Sequence, residues 1–151
     1  MNSCKIPVKI ILADDDPDDQ YLVKEAFANN CPCIDLQTVN DGQELMDYLS
    51  VGAAILPGLI LLDANMPRMG GLEALKHIKS DPKLTNIPII IFTTSGDKKI
   101  VRESYCDGAN SFIRKPNSFD KLSYIIDTVS KYWCEIVSLP DDLCPVELKA
   151  A

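Results

Sequence analysis

Short apolar runs alternate with amphipathic helical patterns along nearly the whole chain, and this alternation constrains the fold more than any other feature. The apolar runs lie at residues 8–13, 34–39, 59–62, 87–92 and 112–113. Continuous apolar runs of this length are typical of strands that are buried on both faces. A helical pattern follows each run, the last of them starting near Ser118. Five strands that alternate with five helices predict an α/β fold, a parallel sheet covered by helices on both faces.

Size and charge narrow the function classes. The 151 residues suffice for one domain, and we expect a domain over residues 1–139 with a tail over 140–151. The net charge of −7 argues against nucleic acid as a partner, because such a surface needs clustered Lys and Arg. No apolar run is long enough to span a membrane, and no signal peptide precedes the first strand. We therefore expect a cytoplasmic protein whose six cysteines are free thiols.

Polar residues follow four of the predicted strands. Asp14 and Asp15 follow the first strand, Asp63 the third and Thr93 the fourth, while Lys115 follows the fifth. Parallel strands bring their carboxyl ends to one edge of the sheet, where open α/β folds bind their ligands. We expect these five side chains to lie near one another.

Not every aspartate in the sequence ILADDDPDDQYL needs a function. Asp16 precedes Pro17, which predicts an N-cap followed by proline at the first helical position. Asp18 and Asp19 fall in the first turn, where the helix dipole favours negative charge. Asp14 and Asp15 lie before the cap, so the helix explains them less well.

Three acids at one edge would raise one another's pKa values unless a cation lies among them. Carboxylate oxygens with room for water suit Mg²⁺. A carboxylate beside Mg²⁺, with a lysine and a hydroxyl opposite, can accept a phosphoryl group, since the cations neutralise charge on the equatorial oxygens. The pattern makes a phosphoryl-accepting site plausible.

Four motifs, each after its own strand, resemble one known family. They read ILADDD, LILLDANMPRMGG, IIIFTTS and GANSFIRKP. In this order and separation they resemble the receiver domain of two-component response regulators, over roughly residues 5–133. The segments NMPRM and KYWCEIVSLP are similar to single-domain regulators of the cyanobacterial-phytochrome type. The resemblance implies a doubly wound, flavodoxin-like fold with strand order 2-1-3-4-5.

The resemblance also implies roles for individual residues. Asp63 would take a phosphoryl group from a histidine kinase, which could be of the phytochrome type. Mg²⁺ would be bound by Asp15 and Asp63 directly, by the backbone carbonyl of Asn65, and by Asp14 through water. The chain would then be a stand-alone signalling module that acts on a downstream protein partner and is not an enzyme.

Further positions follow from the same resemblance. Thr93 and Lys115 would contact the phosphoryl oxygens, and Thr93 with Phe112 would form the conformational switch. The peptide bond before Pro116 would be cis, as is typical of the family. Tyr132 and Trp133 lie on an extended last helix, and exposed aromatics at an edge are frequent interface anchors. They predict a homodimer.

Two other functions stay open at this point. A phosphatase of the haloacid-dehalogenase type also forms an aspartyl phosphate, but it carries an acid two positions after the nucleophile, where this chain has Asn65. A receiver-like module that binds partners without phosphorylation is the other alternative. The intact set of Asp63, Thr93 and Lys115 argues against it.

Overall fold

The computed structural model describes residues 8–51, 56–140 and 143. Its strands and helices alternate in the order β1 (Lys9–Ala13), α1 (Pro17–Asn30), β2 (Asp35–Val39), α2 (Gly42–Ser50), β3 (Leu59–Leu62), α3 (Gly71–Ser80), β4 (Ile89–Thr93), α4 (Lys98–Cys106), β5 (Ser111–Arg114) and α5 (Phe119–Lys131). The strands form one parallel sheet in the order β2-β1-β3-β4-β5. This confirms the predicted fold class and strand order.

The core occupies both faces of the sheet. Alternate strand residues point to opposite faces, so Ile11 and Ile60 pack under α2 and α3. Ile10 and Leu61 pack on the other face under α1 and α5. Strands β3 and β4 are buried at every position, which explains their continuous apolar sequences.

The strand order reverses between β1 and β3, and this point places the site. From β1 the chain passes to β2 on one side of it, and then crosses to β3 on the other side. Ala13 pairs with Leu62, and the Asp63 N–H donates to the Ala13 carbonyl at 2.9 Å. The residues after these two strands therefore leave the sheet side by side, as the sequence predicts.

Helix α1 starts where its capping pattern predicts. Asp16 is the N-cap, and its carboxylate accepts a hydrogen bond from the Asp18 N–H at 2.9 Å. Pro17 occupies the first helical position, where the missing N–H costs nothing. The cap thus fixes the direction in which the chain turns away from the end of β1.

Several element boundaries differ from the sequence prediction. Strand β4 begins at Ile89 rather than at residue 87, because Pro88 has no N–H to donate to the ladder. The last helix changes at Tyr132 into a π-helical turn, Tyr132–Ile136, which shifts the direction of the side chains there. Leu143, in the predicted tail, is buried in the core, and the boundary after residue 139 stays a prediction.

The expectation of free thiols is wrong for Cys33, which is disulfide-bonded. Cys106 and Cys134 keep their thiols. Disulfide pairing depends on how closely two residues approach in the fold, so the spacing of cysteines in the sequence does not reveal it. In the described part of the chain, no helix is long and apolar enough to cross a membrane.

Candidate functional site

Three carboxylates meet at the carboxyl edge of the sheet. Oxygen atoms of Asp14, Asp15 and Asp63 all lie within 4.8 Å of one another. Asp14 is fully buried and Asp63 is 7% exposed, whereas Asp15 is open to solvent. A set of oxygen ligands with one open side fits a hard divalent cation such as Mg²⁺, which keeps several waters. The expected acid cluster is therefore present.

Lys115 extends from the end of β5 into this cluster. Its Nζ donates to Asp14 Oδ2 at 2.6 Å, to Asp19 Oδ2 at 2.8 Å and to Asp63 Oδ2 at 3.0 Å. The lysine side chain is only 8% exposed. The ammonium thus contacts three carboxylates, and Asp15 lies beside two of them, so the site holds more acidic than basic groups.

The pKa values of the site follow from burial and from these ion pairs. Burial raises the pKa of Asp14 to about 6, and the hydrogen bonds from Lys115 and from the Asp16 N–H offset only part of that rise. Burial acts to lower the pKa of Lys115, but the hydrogen bonds to Asp14 and Asp19 outweigh it. The net result is a Lys115 pKa above its usual range, so the ammonium stays charged.

The two oxygens of Asp63 have different surroundings. Oδ1 accepts hydrogen bonds from the Thr93 hydroxyl at 2.8 Å and from the Asn65 N–H at 3.1 Å. Oδ2 faces Lys115. Thr93 is fully buried, so its hydroxyl is held in place at the end of β4. The predicted acid, hydroxyl and lysine are in direct contact.

Comparisons with known proteins agree with this geometry. A family model described as the response regulator receiver domain matches residues 10–127. The chain belongs to this family.

Two of its relatives are regulators of similar length. The chain is 32% identical over 138 residues to the response regulator Rcp1 of Synechocystis, covering 89% of this chain and 94% of Rcp1. It is also 32% identical over 130 residues to the probable methanogenesis regulatory protein FilR2 of Methanothrix harundinacea, covering 84% of each. The receiver therefore spans most of the length of both relatives.

Solved structures show the same fold. The phosphorylated cyanobacterial phytochrome response regulator RcpA superimposes with a TM-score of 0.84 at 36% identity, covering 89% of this chain and 99% of that one. The Mn²⁺-bound form of Rcp1 superimposes with a TM-score of 0.78 at 32% identity, over 89% of this chain and 99% of that one. These matches confirm the predicted resemblance to regulators of the cyanobacterial-phytochrome type.

The loop after Asp63 is tightly held in this receiver. The Gly71 N–H donates to the Ala64 carbonyl at 2.9 Å. Arg68 adopts a left-handed backbone with φ of 63°, and its guanidinium donates twice to Asp41, at 2.8 and 3.2 Å. The Arg68 guanidinium also lowers the pKa of Asp41. The loop is thus fastened to the start of α2, although Gly70 caps α3 without a side chain.

Asn65 reaches a second partner across the site. Its side-chain amide donates to the Ser95 hydroxyl at 2.7 Å. This bond joins the loop after β3 to the loop after β4. Two of the loops that surround Asp63 are therefore connected through one polar contact.

The expected switch and interface residues occupy the β5 and α5 side of the receiver. Phe112 is half-buried against the core, and its N–H donates to the Tyr105 hydroxyl at 3.2 Å. Tyr132 and Trp133 pack edge to face, and their ring centroids lie 5.2 Å apart.

The peptide bond before Pro116 is trans, and no described peptide bond is cis. The family-based expectation of a cis bond is therefore wrong for this structure.

Asp19 is the site residue that the sequence analysis missed. Its place in the first turn of α1 explained it as a favourable charge at a helix start, yet its carboxylate contacts Lys115 at 2.8 Å. The signal that could have found it is its position in the first turn of α1, the helix that starts at the carboxyl edge of the sheet, where the site residues lie.

Proposed function

We propose that Asp63 accepts a phosphoryl group from a phosphohistidine of a sensor kinase. A carboxylate oxygen of Asp63 forms the bond to phosphorus as the bond from phosphorus to the imidazole nitrogen breaks, and the imidazole keeps that electron pair. The observation that carries the proposal is the contact of one buried carboxylate with both Lys115 and Thr93. Membership of the receiver family supports it.

The residues around Asp63 would bind the cation and contact the phosphoryl group. Asp14, Asp15, Asp63 and the backbone carbonyl of Asn65 would hold Mg²⁺, which neutralises charge on the phosphoryl oxygens when it is bound. The acid cluster supports this assignment, as does a structure of Rcp1 in an Mn²⁺-bound form. Lys115 would pair with a phosphoryl oxygen from the opposite side.

The signal would pass from Thr93 to Phe112. A phosphoryl group on Asp63 offers the Thr93 hydroxyl a more highly charged acceptor than the carboxylate that it now binds. Movement of Thr93 would leave space at the end of β4, where the half-buried Phe112 ring could pack. Phosphorylation would therefore change the β4–β5 surface that a downstream protein partner contacts.

Incubation with a small phosphodonor and Mg²⁺ is expected to add one phosphoryl group per chain, stable to acid and labile to base. EDTA is expected to prevent the addition, because crowded carboxylates repel an incoming anion unless a divalent cation neutralises them. Intact mass before and after base treatment measures the adduct. An adduct that forms equally well in EDTA would contradict the proposal.

The alternatives differ from this proposal in their products. A phosphatase would release phosphate repeatedly from small phosphomonoesters, whereas we propose that the chain does not turn over external substrates. Asn65 stands where such an enzyme needs an acid, and its amide is bonded to Ser95. A module independent of phosphorylation would acquire no adduct at all.

The kinase that we propose is of the phytochrome type, because RcpA, which the chain resembles, is a phytochrome response regulator. Kinase phosphohistidine is made from ATP, so we propose that the chain works in the cytoplasm. The proposal that the receiver acts as a stand-alone module is drawn by analogy with Rcp1 and RcpA, which the chain covers to 94% and 99% of their lengths.

We further propose a homodimer through the α4–β5–α5 face, with Tyr132 and Trp133 at the contact. Tyr132 is 49% exposed and the nearby Ile136 is 70% exposed. Exposed aromatic and aliphatic side chains next to each other are typical of interfaces.

Trp133→Ala is expected to weaken the dimer at least about tenfold, as truncation of an aromatic anchor does. Analytical ultracentrifugation measures the dissociation constant, and circular dichroism checks the fold, because Trp133 also packs on the core. Tyr132→Ala tests the contact without opening the core, and Tyr21→Ala on α1 is the control. A wild-type chain that sediments as a monomer with and without phosphorylation would exclude the dimer.

A further inference from the structure

The Lys115 ammonium is paired with three carboxylates, and two of these also belong to the candidate metal site. A buried ammonium needs charged partners, because leaving it without them costs far more than the pair contributes. Asp14 and Asp63 belong to the acid cluster, so under the proposed function they also serve Mg²⁺ and the phosphoryl group. Among the described carboxylates in contact with Lys115, Asp19 alone lies outside that cluster.

The first turn of α1 holds Asp19 in this place. The Gln20 N–H donates to the Asp16 carbonyl at 3.0 Å. The Gln20 side-chain amide donates to the Asp14 carbonyl at 2.5 Å and to Asn40 Oδ1 at 2.9 Å. The helix start is therefore fastened to the ends of both β1 and β2. The Asp19 side chain is 32% exposed, so it stays in contact with solvent on one side while it contacts a buried lysine on the other.

We propose that Asp19 is a positioning residue that retains Lys115 while the other carboxylates bind a cation. With Asp19 present, the ammonium keeps a charged partner when Asp14 and Asp63 turn toward Mg²⁺. Without Asp19, Lys115 relies on those two residues alone and competes with the cation for them. The inference rests on the proposed function, because it takes the acid cluster to be the metal site.

Asp19→Asn is expected to weaken Mg²⁺ binding roughly fivefold, a modest effect that suits a partly exposed ion pair. The same change made in a Lys115→Met chain is expected to change the affinity less than about twofold, because the competing ammonium is gone. Isothermal titration calorimetry with Mg²⁺ alone measures the four dissociation constants. Asp18→Asn is the matched control, since Asp18 lies in the same turn and its charge is equally lost.

The double-mutant cycle of Asp19→Asn and Lys115→Met separates positioning of Lys115 from simple loss of a negative charge. If Asp19→Asn weakens Mg²⁺ binding equally with and without Lys115, Asp19 acts only by electrostatic attraction of the cation, and the inference is overturned. An effect no larger than that of Asp18→Asn would overturn it as well. A wild-type chain that binds no Mg²⁺ would instead contradict the proposed function.

A second measurement does not require the Lys115→Met chain to fold. In a ¹⁵N-labelled wild-type chain saturated with Mg²⁺, the Lys115 ammonium is expected to give a slowly exchanging side-chain signal, because it stays buried and paired. In Asp19→Asn with saturating Mg²⁺ that signal is expected to broaden or disappear, while Asp18→Asn keeps it. An unchanged signal in Asp19→Asn would show that other groups hold the lysine, which would overturn the inference.

Discussion

Asp63→Asn is expected to abolish phosphorylation of the chain completely. The asparagine amide is nearly the same size as the carboxylate, so it can keep some of the hydrogen bonds that the Asp63 oxygens make. It lacks the anionic oxygen that attacks phosphorus. Among the described carboxylates that contact Lys115, Asp63 is the one that also accepts a hydrogen bond from Thr93, at 3.0 and 2.8 Å respectively. Labelling from a small phosphodonor with Mg²⁺, followed by intact mass, measures the loss.

The control for this variant is Asp16→Asn. Asp16 lies close in sequence and is exposed, but it caps α1, and its amide form remains a good N-cap. It is expected to accept label as the wild type does. Undiminished labelling of Asp63→Asn would place the phosphoryl group on another residue and would contradict the assignment.

Gly71→Ala is expected to destabilise the fold by at least about 3 kcal/mol, the upper part of the range for overpacking. A Cβ at residue 71 would lie 2.0 Å from the Asp63 carbonyl oxygen and 2.8 Å from its carbon. Both neighbours are backbone at the end of β3, so neither can move without disturbing the site. The better helix propensity of alanine contributes only about 1 kcal/mol in the other direction.

Gly70→Ala is the matched control for this effect. A Cβ there would approach the Ala64 carbonyl oxygen no closer than 3.3 Å, and the residue already has an extended backbone with φ of −75°. It is expected to lower the free energy of unfolding by about 1 kcal/mol, well below the loss for Gly71→Ala, because glycine is a better N-cap than alanine. Urea denaturation of both variants measures the difference, and similar losses in the two would contradict the close-contact argument.

The fold and most of the candidate site could be predicted because both depend on local patterns. Apolar runs that alternate with helical spacing specify a parallel sheet, and the carboxyl ends of its strands must meet at one edge. That rule alone brings Asp14, Asp63 and Thr93 together. Their contact distances follow from the register of the strands, which pairs Ala13 with Leu62 and Leu62 with Ile91.

Asp19 could not be predicted in the same way. Its position in a first helical turn has a sufficient local explanation, whereas its contact with Lys115 spans 96 residues of sequence. The disulfide of Cys33 likewise depends on a distance in the fold. The turn at Tyr132 is π-helical, although its sequence continues the spacing of an α-helix.

Mapping the phosphorylated residue in the wild-type chain tests the central claim most directly. Borohydride reduces an aspartyl phosphate to homoserine, which peptide mass spectrometry locates by its altered mass. After phosphorylation in Mg²⁺ and reduction, the account predicts homoserine at position 63 and unmodified aspartate at positions 14, 15 and 19. Homoserine at any of those three positions with Asp63 intact would contradict it.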